Sequence, residues 1–341
     1  MRIFLNILFL FIGLFLLIKG ADLFVSGASS VAKKLRVPTM IIGLTVVAIG
    51  TSLPELAVSI SSAISGVTDM SIGNIVGSNM FNMLVCLGVV ATFQPIYMRK
   101  STKKIDFPFL IALTGMLLIF GVDKYLDGIE YNFLSRTESI LLLIMLVLYL
   151  YVTVSNARKD RKTFVSQENT LNLPDGQVEK PKDEKEVKVL KTWQTVLYLL
   201  LGLAGVVFGG ECVSSTSQFL AIKMGMSEAL VGLTIVAFGT SLPELVTAIV
   251  AAKKGENELA LGNVIGSNIM NIALILGSVG VITQINISFD MLIDLIILFV
   301  CTIIFIAMCL RKGELRKKEG FVLTGIYIAY LVFAIVRNYC F

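Results

Sequence analysis

The chain has no histidine, and charged residues fill only 16% of its 341 positions. Without histidine the commonest transition-metal ligand is missing, and so is the side chain that titrates most readily near neutrality, which argues against a zinc or copper centre. The scarcity of charge goes with a hydrophobic fraction of 56% and a mean hydropathy of +0.85. Soluble domains are roughly 45–50% apolar and about a quarter charged, so the composition is that of a polytopic membrane protein. No GxxxxGK[ST] sequence occurs, which removes the phosphate cradle of P-loop ATPases, and no EF-hand spacing is present. The five cysteines, Cys86, Cys212, Cys301, Cys309 and Cys340, form no CxxC pair and lie in or at the ends of apolar segments, as small hydrophobes do. The net charge of +5 is therefore a matter of loop placement and not a nucleic-acid footprint.

An apolar helix of about 20 residues spans roughly 30 Å of hydrocarbon. Runs of that kind predict ten spans, at 3–32, 38–64, 70–94, 106–122, 135–156, 191–222, 227–252, 257–283, 290–310 and 319–338. The first and sixth are long enough to require tilting or extension past the bilayer. Basic residues concentrate in alternate loops: Lys33, Lys34 and Arg36, then Arg99 to Lys104, Arg158 to Lys191, Lys253 and Lys254, and Arg311 to Lys318. That bias places these loops in the cytoplasm and both termini outside, in a cell membrane. The expected organisation is a first unit at 1–156, a cytoplasmic, mostly disordered linker at 157–190, and a second unit at 191–341.

The two units are copies. GLTVVAIGTSLPE at Gly43–Glu55 recurs as GLTIVAFGTSLPE at Gly232–Glu244, and GNIVGSNMFN at Gly73–Asn82 recurs as GNVIGSNIMN at Gly262–Asn271. Thr51 and Thr240, Glu55 and Glu244, and Asn82 and Asn271 all keep one spacing, without an insertion. Gly13, Gly20, Asp22 and Ser26 have mates at the same offset in Gly202, Gly209, Glu211 and Ser215, so the first span belongs to the mature fold and is no signal peptide. A unit of five spans is odd in number, and its second copy enters the membrane in the opposite sense. The expected fold is all-α, ten transmembrane helices in two inverted-topology repeats, with a site near the midplane.

The chemistry lies in the repeated stretches. Glu55 and Glu244 fall inside apolar helices, where an ionised carboxylate needs a partner, and neither motif supplies a basic residue. An external cation is the natural counter-charge. Thr51 shares a helix face with Glu55, and Ser52 lies beside it. Pro54 lacks an N–H and its ring clashes with the carbonyl of residue 50, so the helix must bend or break around Ala48 to Ser52 and free main-chain carbonyls. Carboxylate, hydroxyl and carbonyl oxygens are the ligands of hard cations such as Ca²⁺ and Na⁺. Ala237 to Ser241, with Thr240, Pro243 and Glu244, repeat the arrangement. Ser78 and Asn82, with Ser267 and Asn271, add polar groups, and Gly73, Gly77, Gly262 and Gly266 allow close packing. Asn74, Asn79, Asn263 and Asn268 read better as packing polar groups. Asp22 is expected to pair with Lys19 or to make a helix-end contact, and Asp290 and Asp294 to be interfacial.

GTSLPE at 50–55 and 239–244, followed by GNIVGSN and GNVIGSN, resembles the alpha repeats of the sodium/calcium exchanger family, over essentially the whole chain. The resemblance implies an antiporter, not an enzyme, with Ca²⁺ and Na⁺ as transported ions, the lipid bilayer as its surroundings, and no cofactor, nucleic acid or obligate protein partner. It implies Glu55 and Glu244 as calcium ligands shared with sodium, and Thr51 and Thr240 as hydroxyl and carbonyl donors. Ser52 and Ser241 would line the sites, Ala48 and Ala237 would offer carbonyls, Ser78 and Ser267 would complete sodium sites, and Asn82 and Asn271 would hold the middle position. Some members carry aspartate where this chain has Asn271. Two carboxylates neutralise one Ca²⁺ or two Na⁺, so an exchange of three Na⁺ for one Ca²⁺ moves net charge. The alternatives are a Ca²⁺/H⁺ antiporter on the same fold, a cation channel, and a membrane scaffold, which leaves the paired acids unexplained.

Overall fold

The computed structural model describes residues 2–66, 68–122, 131–171, 189–225 and 237–340. In chain order the helices are α1 (Arg2–Leu35), α2 (Thr39–Thr51), α3 (Leu53–Ile64), α4 (Met70–Phe93), α5 (Phe107–Phe120) and α6 (Arg136–Leu171). There follow α7 (Thr192–Lys223), α8 (Ala237–Thr240), α9 (Leu242–Lys253), α10 (Asn257–Ile282), α11 (Phe289–Lys312) and α12 (Lys317–Cys340). Among the described residues seven helices are long and apolar enough to cross a membrane, and the bent pair α2–α3 makes an eighth. Of the other expected spans, α5 has 14 residues and is entered through a π-helical turn at Thr102–Asp106, while the run at 227–252 begins outside the described residues.

The element order of the first half returns in the second. The break after Thr51 has its mate after Thr240, and α3 and α9 start and stop at matching positions. π-helical stretches interrupt α4 at Phe81–Cys86 and α10 at Asn271–Leu276. The halves also exchange strands. β1 (Ile96–Tyr97) pairs antiparallel with β4 (Glu314–Leu315), and β2 (Phe133–Leu134) with β3 (Ile285–Asn286). Each half thus closes the end of the other.

Small residues set the packing. Where α1 crosses α7, a Cβ on Gly20 would lie 2.6 Å from the backbone of Gly205 and Val206, and one on Gly209 would lie 2.5 Å from Leu17 N. Only glycine permits that approach, the means by which membrane helices gain contact without a hydrophobic driving force. The outer faces of these helices carry exposed Phe4, Phe11, Phe15, Leu200 and Phe208, as lipid-facing surfaces do. The buried core centres on α2 to α5 and α9 to α11, with Ile72, Ile75, Met80, Leu259, Ile265 and Phe305 nearly inaccessible, and is joined by Phe24 of α1, Tyr149 of α6 and Leu323 of α12.

Two expectations are corrected. Asp22 does not pair with Lys19: Lys254 Nζ, from the end of α9, lies 2.8 Å from Asp22 Oδ1 and donates to Ser26 Oγ at 2.6 Å. Asp294 is buried, held by Arg337 at 2.8 Å, which compensates its charge. Finally, α6 continues to Leu171, into the segment read as linker, while 172–188 lie outside the described residues. Of the cysteines, Cys86, Cys301 and Cys309 are free and buried, and Cys212 is free and half-buried.

Candidate cation-binding site

Pro54 and Pro243 place the two acids. Each occupies the first turn of its helix, and the chain before it bends: Ser52 has φ −84°, ψ 8° and Ser241 has φ −94°, ψ 6°, outside the helical region. At Ser52 the axes of α2 and α3 differ by 44°. Glu55 and Glu244 therefore stand in the first turn of α3 and α9, where helix N-termini favour negative charge. Both side chains are wholly buried.

The two breaks face each other across the halves. Ser241 Oγ donates to Glu55 Oε1 at 3.2 Å, and Ser52 Oγ donates to Glu244 Oε1 at 3.3 Å. Ser267 Oγ reaches Glu244 Oε1 at 3.5 Å. Among the described residues neither carboxylate has a basic partner, and no group of three His, Cys, Asp or Glu side chains gathers anywhere.

Glycines bring the remaining groups in. A Cβ on Gly43 would lie 2.6 Å from Leu259 O, and one on Gly266 would lie 2.6 Å from Leu44 O, so α10 lies directly on the π-helical stretch Gly43–Val47 of α2. That approach sets Thr51 Oγ1 3.1 Å from Asn263 Oδ1 and 3.4 Å from Ser267 Oγ. The mate contact also forms, with Thr240 Oγ1 donating to Asn74 Oδ1 at 3.4 Å. Asn271 Nδ2 donates to Asn79 Oδ1 at 3.2 Å, and Asn79 Nδ2 to Asn268 O at 3.4 Å. Asn74, Asn79 and Asn263 thus do more than fill space: they hold the threonines and Asn271. Their recurrence in both copies was the available signal. Gly73 and Gly77 differ from their mates, since a Cβ on Gly73 meets only the Met291 side chain at 3.4 Å and one on Gly77 meets no described atom within 4 Å.

What remains unpaired defines the chemistry. Glu55 Oε2, Glu244 Oε2, Ser78 Oγ, Asn271 Oδ1 and Asn82 Nδ2 are all buried without a hydrogen-bond partner. An unsatisfied buried polar atom costs about 1–3 kcal/mol, more when charged. Four of the five are acceptor oxygens, two of them carboxylate. Such a set offers oxygen ligands to a hard cation, while Asn263 Nδ2 and both amide atoms of Asn268 are likewise buried without a partner. Asn82 Oδ1 accepts the Cys86 thiol at 3.6 Å, and a half-turn of its amide exchanges oxygen and nitrogen without changing shape. The Ala48 carbonyl already accepts Ser52 N–H at 3.1 Å and Thr51 Oγ1 at 3.4 Å. Ala237 begins α8, but residues 226–236, which include Gly232–Val236 of the second motif, lie outside the described residues.

A multi-span helical bundle with two facing helix breaks and a buried oxygen set is the architecture of an ion-carrying membrane protein. The family model for sodium/calcium exchanger protein matches residues 5–155 and 194–336, once in each half, and the chain belongs to that family. The sodium/calcium exchanger MaX1 of Methanosarcina acetivorans is 32% identical over 349 residues, covering 96% of this chain and 97% of its own. The inner membrane protein YrbG of Escherichia coli K12 is 34% identical over 326 residues, with 94% of each chain covered. Among solved structures, the sodium-calcium exchanger NCX_Mj soaked with 10 mM Na⁺ and zero Ca²⁺ superposes with a TM-score of 0.79 at 28% identity, covering 97% of this chain and 99% of that one. The protein is a multi-pass membrane protein of a cation-antiporter family.

Proposed function

We infer that the protein exchanges Na⁺ for Ca²⁺ across the cell membrane by alternating access, with Glu55 and Glu244 as the shared ligands. The observation that carries this reading is the pair of buried carboxylates, each with one oxygen fixed by a serine of the opposite half and one left without a partner. The fixed oxygens hold the geometry, and the free ones face a cation. In this reading the chain has ten spans in two inverted repeats of five, with both termini outside and the 157–190 segment cytoplasmic, an arrangement supported by the matched element order and the distribution of basic residues.

In this mechanism Ca²⁺ takes Glu55 and Glu244 together, with Thr51 and Thr240 supplying further oxygens. Na⁺ ions divide the same carboxylates between flanking positions, one at Glu55 with Ser241 and Ser78 and one at Glu244 with Ser52 and Ser267, with carbonyls from Ala48 and Ala237 and with Asn82 and Asn271 at the middle position. Competition for the two charges provides the coupling, because the carboxylates cannot neutralise both loads at once. The neutral amides of Asn82 and Asn271 leave the site with two negative charges, enough for one Ca²⁺ or two Na⁺, and an exchange of three Na⁺ for one Ca²⁺ would move one net positive charge per cycle.

Titration calorimetry on purified protein tests the shared site. The apparent Ca²⁺ affinity is expected to fall progressively as Na⁺ replaces choline at constant ionic strength. Calcium binding indifferent to Na⁺ contradicts a shared site.

A further inference from the structure

A second buried acid lies away from the two glutamates. Asp106 ends the π-helical turn before α5 and is 4% exposed, with its Oδ1 accepting the hydroxyl of Tyr149, itself fully buried on α6, at 3.2 Å. Among the described residues no lysine or arginine forms an ion pair with it. The other half holds a comparable acid, Asp294, one position out of register with Asp106, whose repeat mate is Leu295. Asp294 lies beside Tyr330 on α12, and Tyr330 follows β4 at the interval at which Tyr149 follows β2. There the charge is met by Arg337, 2.8 Å away. The residue at the interval of Arg337 in the first half is Asn156.

In place of a guanidinium, the first half has a cavity. A space of about 20 Å³ adjoins Asp106, Asn156, Thr153, Ser101 and Arg99, closed on one side by Met40 and Leu44 of α2. Roughly 10–15 Å³ suffices for one water-sized occupant. Thr153 Oγ1 lines this space, is buried, and has no hydrogen-bond partner. Asn156 spends its amide nitrogen on Val152 O at 3.0 Å, which leaves its Oδ1 as an acceptor. Arg99 brings no uncompensated charge, because it is ion-paired with Glu258.

We propose that the Asp106 cavity binds a single dehydrated monovalent cation, which takes the place that the Arg337 guanidinium occupies beside Asp294. Its ligands are carboxylate, hydroxyl and amide oxygens, a set that suits Na⁺. The occupant links the turn before α5 to α6 and lies against Met40 and Leu44 of α2, the helix that ends at Thr51. The site is separate from Glu55 and Glu244 and does not rest on their assignment.

The test is the melting temperature of purified protein carrying Glu55→Gln and Glu244→Gln, so that the central acids contribute no cation binding, as Na⁺ replaces N-methyl-D-glucamine at constant ionic strength. Ligand linkage predicts a rise on the order of 3 °C or more at saturating Na⁺. Adding Asp106→Asn removes the response. Adding Asn156→Arg also removes it, by supplying an internal cation, and raises the melting temperature in N-methyl-D-glucamine. The Asn156→Arg variant decides the matter should Asp106→Asn fail to fold. No Na⁺ response in the starting protein, or a response that persists in either folded variant, overturns the proposal.

Discussion

Ser52 and Glu244 sit 192 positions apart in the chain, yet the serine hydroxyl donates to the glutamate Oε1 at 3.3 Å. Ser241 returns the contact to Glu55 at 3.2 Å. Each half therefore completes the acid of the other, and neither half forms a finished site alone.

This reciprocity makes the first prediction symmetrical. Ser52→Ala and Ser241→Ala each remove one hydrogen bond to a buried carboxylate, worth about 1.5–3 kcal/mol when charge is involved. The half-saturating Ca²⁺ concentration should rise roughly tenfold or more in both, measured by binding to purified protein. An effect confined to one variant denies that the two breaks act alike.

Glu55→Gln and Glu244→Gln keep shape and remove charge. Each is expected to lower Ca²⁺ flux by on the order of 100-fold or more while the melting temperature in cation-free buffer holds or rises, since an uncompensated buried charge has been removed. Near-normal Ca²⁺ flux in either variant would sink the ligand assignment.

Much of this was legible in the sequence, and the reason is physical. Thr51, Pro54 and Glu55 lie within five positions, so helix periodicity and the missing proline N–H predict a bent helix presenting an acid, and α2–α3 bends by 44° at Ser52. Duplication then marked the same residues twice. The partners that were not legible are distant in sequence: Lys254 meets Asp22 over 232 positions and Arg337 meets Asp294 over 43. Lys19, one helical turn from Asp22, was the only candidate that local spacing could offer. The π-helical stretch at Gly43–Val47 lies where α2 and α10 press together across Gly43, Gly262 and Gly266, a tertiary setting with no local signature.

The Lys254 contact itself yields a third prediction. Its mates in the other half are unlatched: Ser215 Oγ donates to Glu211 Oε1 at 2.8 Å, the position of Lys254 is taken by Ser65, and a cleft of about 740 Å³ lies there between α3 and α7, lined by Leu53, Phe208 and Glu211. On the inverted-repeat reading proposed above, the opposite-facing state exchanges these two arrangements. Lys254→Ala should then favour opening beside α1, and a cysteine at Ser26 should react with a thiol reagent from the cytoplasmic side several-fold faster than with Lys254 intact. An unchanged rate shows that the ion pair does not hold the closed arrangement.

Packing of α1 on α7 gives the fourth. A side chain at Gly20 collides with the backbone of Gly205, and Gly20→Leu should lower the melting temperature by roughly 5 °C or more. Gly325→Ala, whose Cβ meets no described atom within 4 Å, should leave it unchanged or slightly raised.

The central claim is coupling between Na⁺ and Ca²⁺ at Glu55 and Glu244, and the most direct measurement is Ca²⁺ uptake into proteoliposomes loaded with Na⁺. Uptake should require the outward Na⁺ gradient, persist with protons equilibrated by an ionophore, and accelerate with an inside-positive potential that draws the extra Na⁺ charge out. Uptake that follows an imposed proton gradient and ignores Na⁺ would contradict the account and recast the two glutamates as proton carriers.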